Sequence, residues 1–227
     1  MELNDVGIEW GTPPPIGNPY LDEVMELVER NGFRVHHNEI DFVTTMIRDG
    51  VLSLAEAVEN VLGDRSLRHR YAYAIPRTDV IQWMVGVGPI VEVGAGKGYW
   101  ARMISDVGGD IIAYDLLPPQ ENPATDRDTP WYQVLVADCE IAAAHRHRTL
   151  FMCWPPYTED MAFRAARSYL DAGGRRIIYI GEGRGGCTAD DSFFELMSAR
   201  MTDVSPANID ILSWFGIHDH LYDYQVV

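Results

Sequence analysis

The chain has 227 residues, 47% of them apolar. That suffices for one domain of ordinary size with an appended segment and is too apolar for a disordered chain. A formal net charge of −16 counts against strong non-specific binding of nucleic acid, because a polyanion is repelled unless basic residues are concentrated locally. No run of about 18 apolar residues marks a membrane span, and the start, Met1-Glu2-Leu3-Asn4-Asp5, carries no basic and apolar leader. Cys139, Cys153 and Cys187 are too scattered for a disulfide framework or a zinc site, so the expected compartment is the cytoplasm.

Residues 1–19 are rich in glycine and proline, with Pro13-Pro14-Pro15, and read as an extended lead-in. A helix is predicted over 20–31, with Leu21, Val24, Met25, Leu27 and Val28 on one side and Asn31-Gly32 as its stop. Asn38 is predicted to cap a second helix reaching about Arg48, with Ile40, Val43, Thr44 and Ile47 as its stripe. Ser53, with Glu56 completing a capping box, is predicted to start a third over Leu54 to Leu62. Residues 20–70 are thus expected to form an N-terminal helical cap. The pairs His36/His37, His145/His147 and His218/His220 match no helical metal-ligand spacing and are taken as solvated. Arg65, Arg68, His69 and Arg70 form the densest basic patch. It reads first as a solvated helical face, and alternatively as a clamp on an anionic substrate group.

Beyond Tyr71-Ala72-Tyr73-Ala74-Ile75-Pro76 and a short helix over 78–85, strand and helix alternate. Strands are predicted near 90–94, 110–115, 131–137, 149–154, 175–181, 208–213 and 220–226, and helices near 98–107, 139–146, 158–171 and 189–200. Alternation with apolar strands implies a parallel sheet covered on both faces. The last two strands have no helix between them and are expected to pair antiparallel.

The chain is organised around residues 90–100, Ile90-Val91-Glu92-Val93-Gly94-Ala95-Gly96-Lys97-Gly98-Tyr99-Trp100. A β-branched run, three alternate glycines and an amphipathic run read as strand, tight turn and helix. Such a turn aims the unpaired N–H groups of the helix start at a ligand. A Walker A loop fails here, because Val91 stands where its first glycine belongs and Gly98 follows Lys97. The dinucleotide fingerprint is weakened by Tyr99 at its third glycine. A glycine turn without a ligand remains the plain alternative.

The pattern E-x-G-x-G-x-G over Glu92 to Gly98 resembles the first motif of class I S-adenosylmethionine (SAM)-dependent methyltransferases. The segment Trp154-Pro155-Pro156-Tyr157, with Ile180-Gly181-Glu182 and Gly216-Ile217-His218-Asp219, looks like a group of uncharacterised methyltransferase-like proteins sharing a WPPY motif. The resemblance covers about residues 71–227. It implies a Rossmann-like α/β fold: a mostly parallel seven-stranded sheet with an antiparallel final strand, here with the helical cap added.

The resemblance also implies a SAM site. Glu92, Gly94, Ala95, Gly96, Gly98, Tyr99 and Trp100 would form the loop and the helix start beneath the cofactor. Tyr73 and Pro76 would line the methionine end. Asp115, 21 residues after Gly94, would accept the ribose hydroxyls, and Leu116 would pack on adenine. Asp138, beside Cys139, would accept from the adenine amino group, although a cap for the next helix is an equal reading. Glu92 on a buried strand must be hydrogen-bonded or paired. Lys97 is taken as exposed and without chemistry.

Trp154, Pro155, Pro156 and Tyr157 would line the reacting end. They resemble the [D/N/S]-P-P-[Y/F/W] motif of enzymes that methylate exocyclic amino groups. Tryptophan in the first position donates but does not accept, which departs from that motif. Glu182, His218 and Asp219 are candidate bases. The function implied is methyl transfer from SAM to a small molecule. The alternatives are a nucleobase amino group in nucleic acid and a non-catalytic interaction module. No membrane partner and no metal are expected.

Overall fold

The computed structural model describes residues 16–44, 67–117, 121 and 130–226. Helix α1 (Pro19–Asn31) starts where predicted. Asn18 accepts from the Leu21 N–H, Pro19 takes the first turn, and Gly32 ends the helix at φ 63°. Its inward side buries Tyr20, Val24 and Val28. Asn18 does more than cap. Its amide donates to the Pro76 carbonyl, and its oxygen accepts from the Tyr99 hydroxyl at 3.0 Å. The Tyr20 N–H donates to the same hydroxyl at 3.0 Å. Asn18→Ala is therefore expected to cost about 1–2 kcal/mol in urea unfolding. A loss under about 0.5 kcal/mol, the range of neutral surface substitutions, would show that the clamp contributes nothing.

The helix predicted from Asn38 does not start there: a hairpin of β1 (Arg34–His36) and β2 (Glu39–Asp41) turns at His37 with φ 53°. Val43 and Thr44 are helical, and the rest of the predicted span, with Ile47 and Arg48, lies outside the described residues. Ile40 and Phe42 are buried, with Phe42 edge-on to Trp214. Burial of Ile40 and Phe42 thus overrides the helix start read at Asn38. Asp41, not Asn38, caps the turn after the hairpin, accepting from the Thr44 N–H at 2.9 Å. The third predicted helix, with Ser53 and Glu56, lies outside the described residues, as do Arg65 and most of the lead-in.

After α2 (Leu67–Arg70) and α3 (Thr78–Val87), strands β3 (Ile90–Val93), β4 (Ile111–Asp115), β5 (Val134–Val136), β6 (Thr149–Cys153) and β7 (Arg176–Gly181) form the parallel part of the main sheet. Short β8 (Thr202–Asp203) and final β10 (His220–Gln225) complete it in the order β5-β4-β3-β6-β7-β10-β8, with β10 antiparallel to both its neighbours. The crossovers are α4 (Tyr99–Asp106), a 3₁₀ helix (Cys139–His145), α5 (Met161–Asp171) and α6 (Asp191–Arg200). Alternate strand residues feed two cores. Ile90, Phe151, Ile178 and Ile180 face α1, α3 and α4. Val91, Val93, Leu150, Met152, Ile177 and Tyr179 face α5 and α6.

The strand expected near 208–213 is not in this sheet. Its place goes to β8, and Ser213–Trp214 (β9) pairs parallel with β2 in a separate three-stranded sheet. Ile211 and Leu212 are buried, as a strand reading wants, but they pack toward the N-terminal elements, and Leu212 bridges to Ile75. The final strand is antiparallel as expected, but its partners are β7 and β8. The Asp223 carboxylate, buried on β10, is held by a two-pronged bond from Arg176 on β7.

Candidate functional site

The carboxyl ends of β3, β4, β5 and β6 open on one cavity of about 540 Å³. That is an ordinary size for a small-molecule site, in the place where open α/β sheets hold ligands. Its floor is the turn from β3 to α4. Gly94, Gly96 and Gly98 all have positive φ, at 77°, 55° and 74°. The N–H groups of Gly94 and Ala95 both reach the Tyr114 carbonyl, at 2.9 and 3.0 Å, so the turn stays stitched to β4.

Asp115 ends β4 at the lip of this turn. One of its oxygens accepts from the Gly96 N–H at 2.8 Å, the other from the Leu117 N–H at 3.1 Å. The carboxylate thus shapes the glycine turn. The carboxylate also lines the cavity, at the end of the strand where ligand hydroxyls would reach it. Leu116 beside it is 61% exposed at the cavity mouth.

Glu92 is the most unusual group. It lies on β3, is 2% exposed and lines the cavity, and its Oε2 has no hydrogen-bond partner among the described residues. Burial, then the Asp115 charge, push its carboxyl up to about 8, against a small opposing effect of the Ala101 backbone N–H.

Asp138 caps the 3₁₀ helix, accepting from the Glu140 N–H at 3.2 Å and the Cys139 thiol at 3.3 Å. It also pairs with Arg164 at 2.7 Å. The Glu140 N–H first, then Cys139 and Arg164, hold its carboxyl below the usual range. Asp138, Cys139 and Arg164 all line the cavity. Lys97 does too, and here the expectation fails: it is 3% exposed, not a solvated loop residue. The glycines on either side turn it inward, where its carbonyl accepts from the Trp131 N–H at 2.9 Å.

The opposite wall is aromatic. Trp154 directly follows β6 with φ 54°, and its ring stacks on Tyr73 with centroids 5.1 Å apart. Its backbone N–H donates to Ile180, and its indole N–H donates to Asp219 at 2.7 Å. Asp219 is buried, and burial pushes its carboxyl up to about 7 although the indole bond opposes the shift. The departure in the W-P-P-Y motif therefore has a physical reading: the tryptophan donor serves a carboxylate behind the wall. Pro155 and Pro156 line the cavity, and Pro156 bridges to Thr188.

The structure thus gathers Tyr73, Glu92, Gly94, Ala95, Gly96, Trp100, Asp115, Leu116, Asp138, Cys139, Trp154, Pro155 and Pro156 around one cavity. Pro76, Gly98, Tyr99 and Tyr157 fall outside its lining. Gly98 lies under Tyr132 and Val134. Tyr99 is buried edge-on to Tyr20 and Tyr71. Pro76 is buried and serves as the Asn18 acceptor, and Tyr157 is 54% exposed.

Of the candidate bases, Glu182 is committed. It accepts from the Cys187 N–H at 2.7 Å and the His218 N–H at 3.0 Å. Burial acts to raise its carboxyl, but these bonds outweigh it and hold the carboxyl below the usual range. The His218 side chain is 72% exposed. Sequence reasoning passed over Lys97, Met161 and Arg164. No local pattern marks Met161 or Arg164, because they reach the cavity from the start of α5.

The main sheet, with its strand order, its reversed final strand and a cavity at the carboxyl ends, has the Rossmann-like fold of class I methyltransferases. No protein-family model matches the sequence, and no curated protein matches it. Solved structures similar to the chain include the magnesium protoporphyrin IX methyltransferase of Synechocystis PCC 6803 with bound SAM. It is 12% identical, with 92% of this chain and 95% of that one covered and a TM-score of 0.40. A SAM-dependent methyltransferase of Anabaena variabilis is 11% identical over 62% of this chain and 77% of that one, TM-score 0.41. A protein of the NADB-Rossmann superfamily from Streptococcus agalactiae is 12% identical over 68% and 71%, TM-score 0.45. The likeness is distant, and the fold assignment rests on the strand order itself.

The residues present fit SAM. The cofactor carries a sulfonium and an ammonium, and the cavity holds a buried, underused carboxylate oxygen on Glu92. Its ribose offers two hydroxyls, and the Asp115 carboxylate, an acceptor, lines the cavity at the end of β4.

Proposed function

We propose that the chain is a SAM-dependent methyltransferase acting on a small acceptor. The observation that carries the reading is the orphaned Glu92 oxygen in a cavity rimmed by the glycine turn and Asp115. An uncompensated buried carboxyl is costly, and a cationic ligand would draw it to the charged form. SAM, when bound, supplies the activated methyl group, and what it asks of the protein is alignment. Glu92 would hold positive charge, Asp115 the ribose and Asp138 the adenine. Trp154 and Tyr73 would form a wall against which a flat acceptor is oriented. Asp219, with its raised carboxyl behind Trp154, fixes the indole. All three cysteines are free, which is compatible with a cytoplasmic setting.

A nucleobase acceptor is the weaker reading. Its support was Pro155-Pro156-Tyr157, and the Trp154 donor is engaged with Asp219 while Tyr157 faces solvent.

Calorimetric titration with SAM, S-adenosylhomocysteine and NAD⁺ tests the assignment. Micromolar binding of the first two, about −8 kcal/mol, with no NAD⁺ signal is the expected result. Asp115→Ala is expected to weaken SAM by about 1.5–3 kcal/mol, the loss of hydrogen bonds to a charged acceptor. Folded protein that binds neither SAM nor its product would sink the proposal and leave the glycine turn as architecture alone.

A further inference from the structure

We propose that Arg68 anchors an oxyanion, carboxylate or phosphate, carried by a flat aromatic methyl acceptor. The inference rests on the methyltransferase reading and adds the chemical class of the substrate.

The cations around the cavity are not equivalent. Arg164 is committed to Asp138 at 2.7 Å and lies 3.6 Å from Glu140. Arg70, close in sequence, pairs with Glu23 and sits over Tyr71. Arg68 lines the cavity, yet its Nε is buried with no hydrogen-bond partner, and it pairs with no carboxylate among the described residues. This is the more telling because the chain has 34 acidic and 18 basic residues. A guanidinium keeps its charge when buried, and an unmade bond to a buried donor is expensive. The group is held in place all the same: its carbon lies 5.3 Å over the Tyr73 ring centroid.

Tyr73 is the link that sets the role. Its ring stacks on Trp154 directly after β6, which joins Arg68 to the aromatic wall and not to the glycine turn. A planar fork beside a wall of flat rings suits one kind of ligand: a ring that stacks, bearing an oxyanion that accepts two parallel N–H bonds in plane. Neutral acceptors would leave the buried donor unsatisfied, so the arrangement selects against them.

The test is titration with benzoate, phenyl phosphate and neutral benzamide, with and without S-adenosylhomocysteine, read by saturation-transfer NMR and tryptophan emission. S-Adenosylhomocysteine binding is measured separately for each variant. At least one of the two anions is expected to bind about tenfold tighter than benzamide, about 1.4 kcal/mol. Arg68→Gln is expected to abolish that preference, and Arg68→Lys to keep part of it, both with unchanged S-adenosylhomocysteine affinity. Which anion wins separates carboxylate from phosphate. Benzamide binding as well as both anions overturns the proposal, as does an anion preference that survives in Arg68→Gln. Loss of S-adenosylhomocysteine affinity in Arg68→Gln with anion binding intact also overturns it, assigning Arg68 to the cofactor's own carboxylate. An Arg68-dependent anion preference without any S-adenosylhomocysteine binding would uphold the anion site while removing the methyltransferase reading.

Discussion

Glu92→Gln is expected to yield a protein that is more stable than wild type above pH 8 and markedly poorer at holding SAM. The folded carboxyl titrates near 8 and the unfolded one near 4.5. Over that interval the folded chain binds more protons than the unfolded chain, so stability falls as pH rises through it. Below about pH 4.5 both states are protonated and the two proteins should melt alike. Above about pH 8 wild type carries the full cost of a buried, underpaired charge, and the glutamine variant should exceed it by roughly 3–5 kcal/mol. The ligand effect runs the other way. A bound cation favours ionised Glu92, so SAM binding at pH 7 should release a proton, and affinity should rise with pH toward 8. Glutamine should abolish the proton release and weaken SAM by about 1.5–3 kcal/mol. Melting curves from pH 4 to 9, and calorimetry in buffers of different ionisation enthalpy, read both effects. A variant less stable than wild type across the whole range would mean that Glu92 is well paired in the folded protein.

Gly98→Ala is the second large effect, and it acts on the fold. Gly98 caps α4 at φ 74°, a conformation costing a side-chain-bearing residue about 1–2 kcal/mol. An added Cβ would also stand 2.9 Å from both the Tyr132 Cβ and the Val134 Cγ2. Neither atom is the free end of a long side chain, so relief requires moving backbone, typically about 1–3 kcal/mol. Together these put the loss at roughly 2–5 kcal/mol, measured by thermal or urea unfolding. Gly94→Ala makes a useful contrast. Its Cβ would meet the Met161 Cε, the flexible tip of a side chain, at 2.7 Å, so the steric part should be smaller. A Gly98→Ala loss below about 1 kcal/mol would show that the close approach is slack.

The strand–turn–helix at residues 90–106 was legible because its signals are local: β-branched residues, spaced glycines, an amphipathic run. The same holds for α1, with its apolar side and its Asn31-Gly32 stop, whereas Asn18 was read as part of the lead-in and its capping role comes from the structure. Elements that depend on distant partners were not legible. Asn38 sits in a turn because Ile40 and Phe42 are buried far from their sequence neighbours, Phe42 against Trp214. Strand β8 has two exposed residues and no apolar pattern, while Ile209, Ile211 and Leu212 offered a pattern for a strand that lies elsewhere. At the site, the acids at the ends of β3 and β4 could be found by spacing from the glycines. The burial of Lys97 could not, since a charged residue in a glycine loop looks solvated until the loop's path is known. The Trp154–Asp219 bond spans 65 residues and has no local trace.

The clamp centred on Asn18 has a consequence for how the molecule comes apart. Asn18 and Tyr20 both bond to Tyr99, the first residue of the helix that leaves the glycine turn, and Tyr20 stacks on Tyr71. The N-terminal helix and the floor of the cavity therefore belong to one cooperative unit. Trimming the chain past residue 31 would not merely shorten it. It would strip the cover from Tyr71 and Tyr99, leaving aromatic surface directly behind the cavity floor.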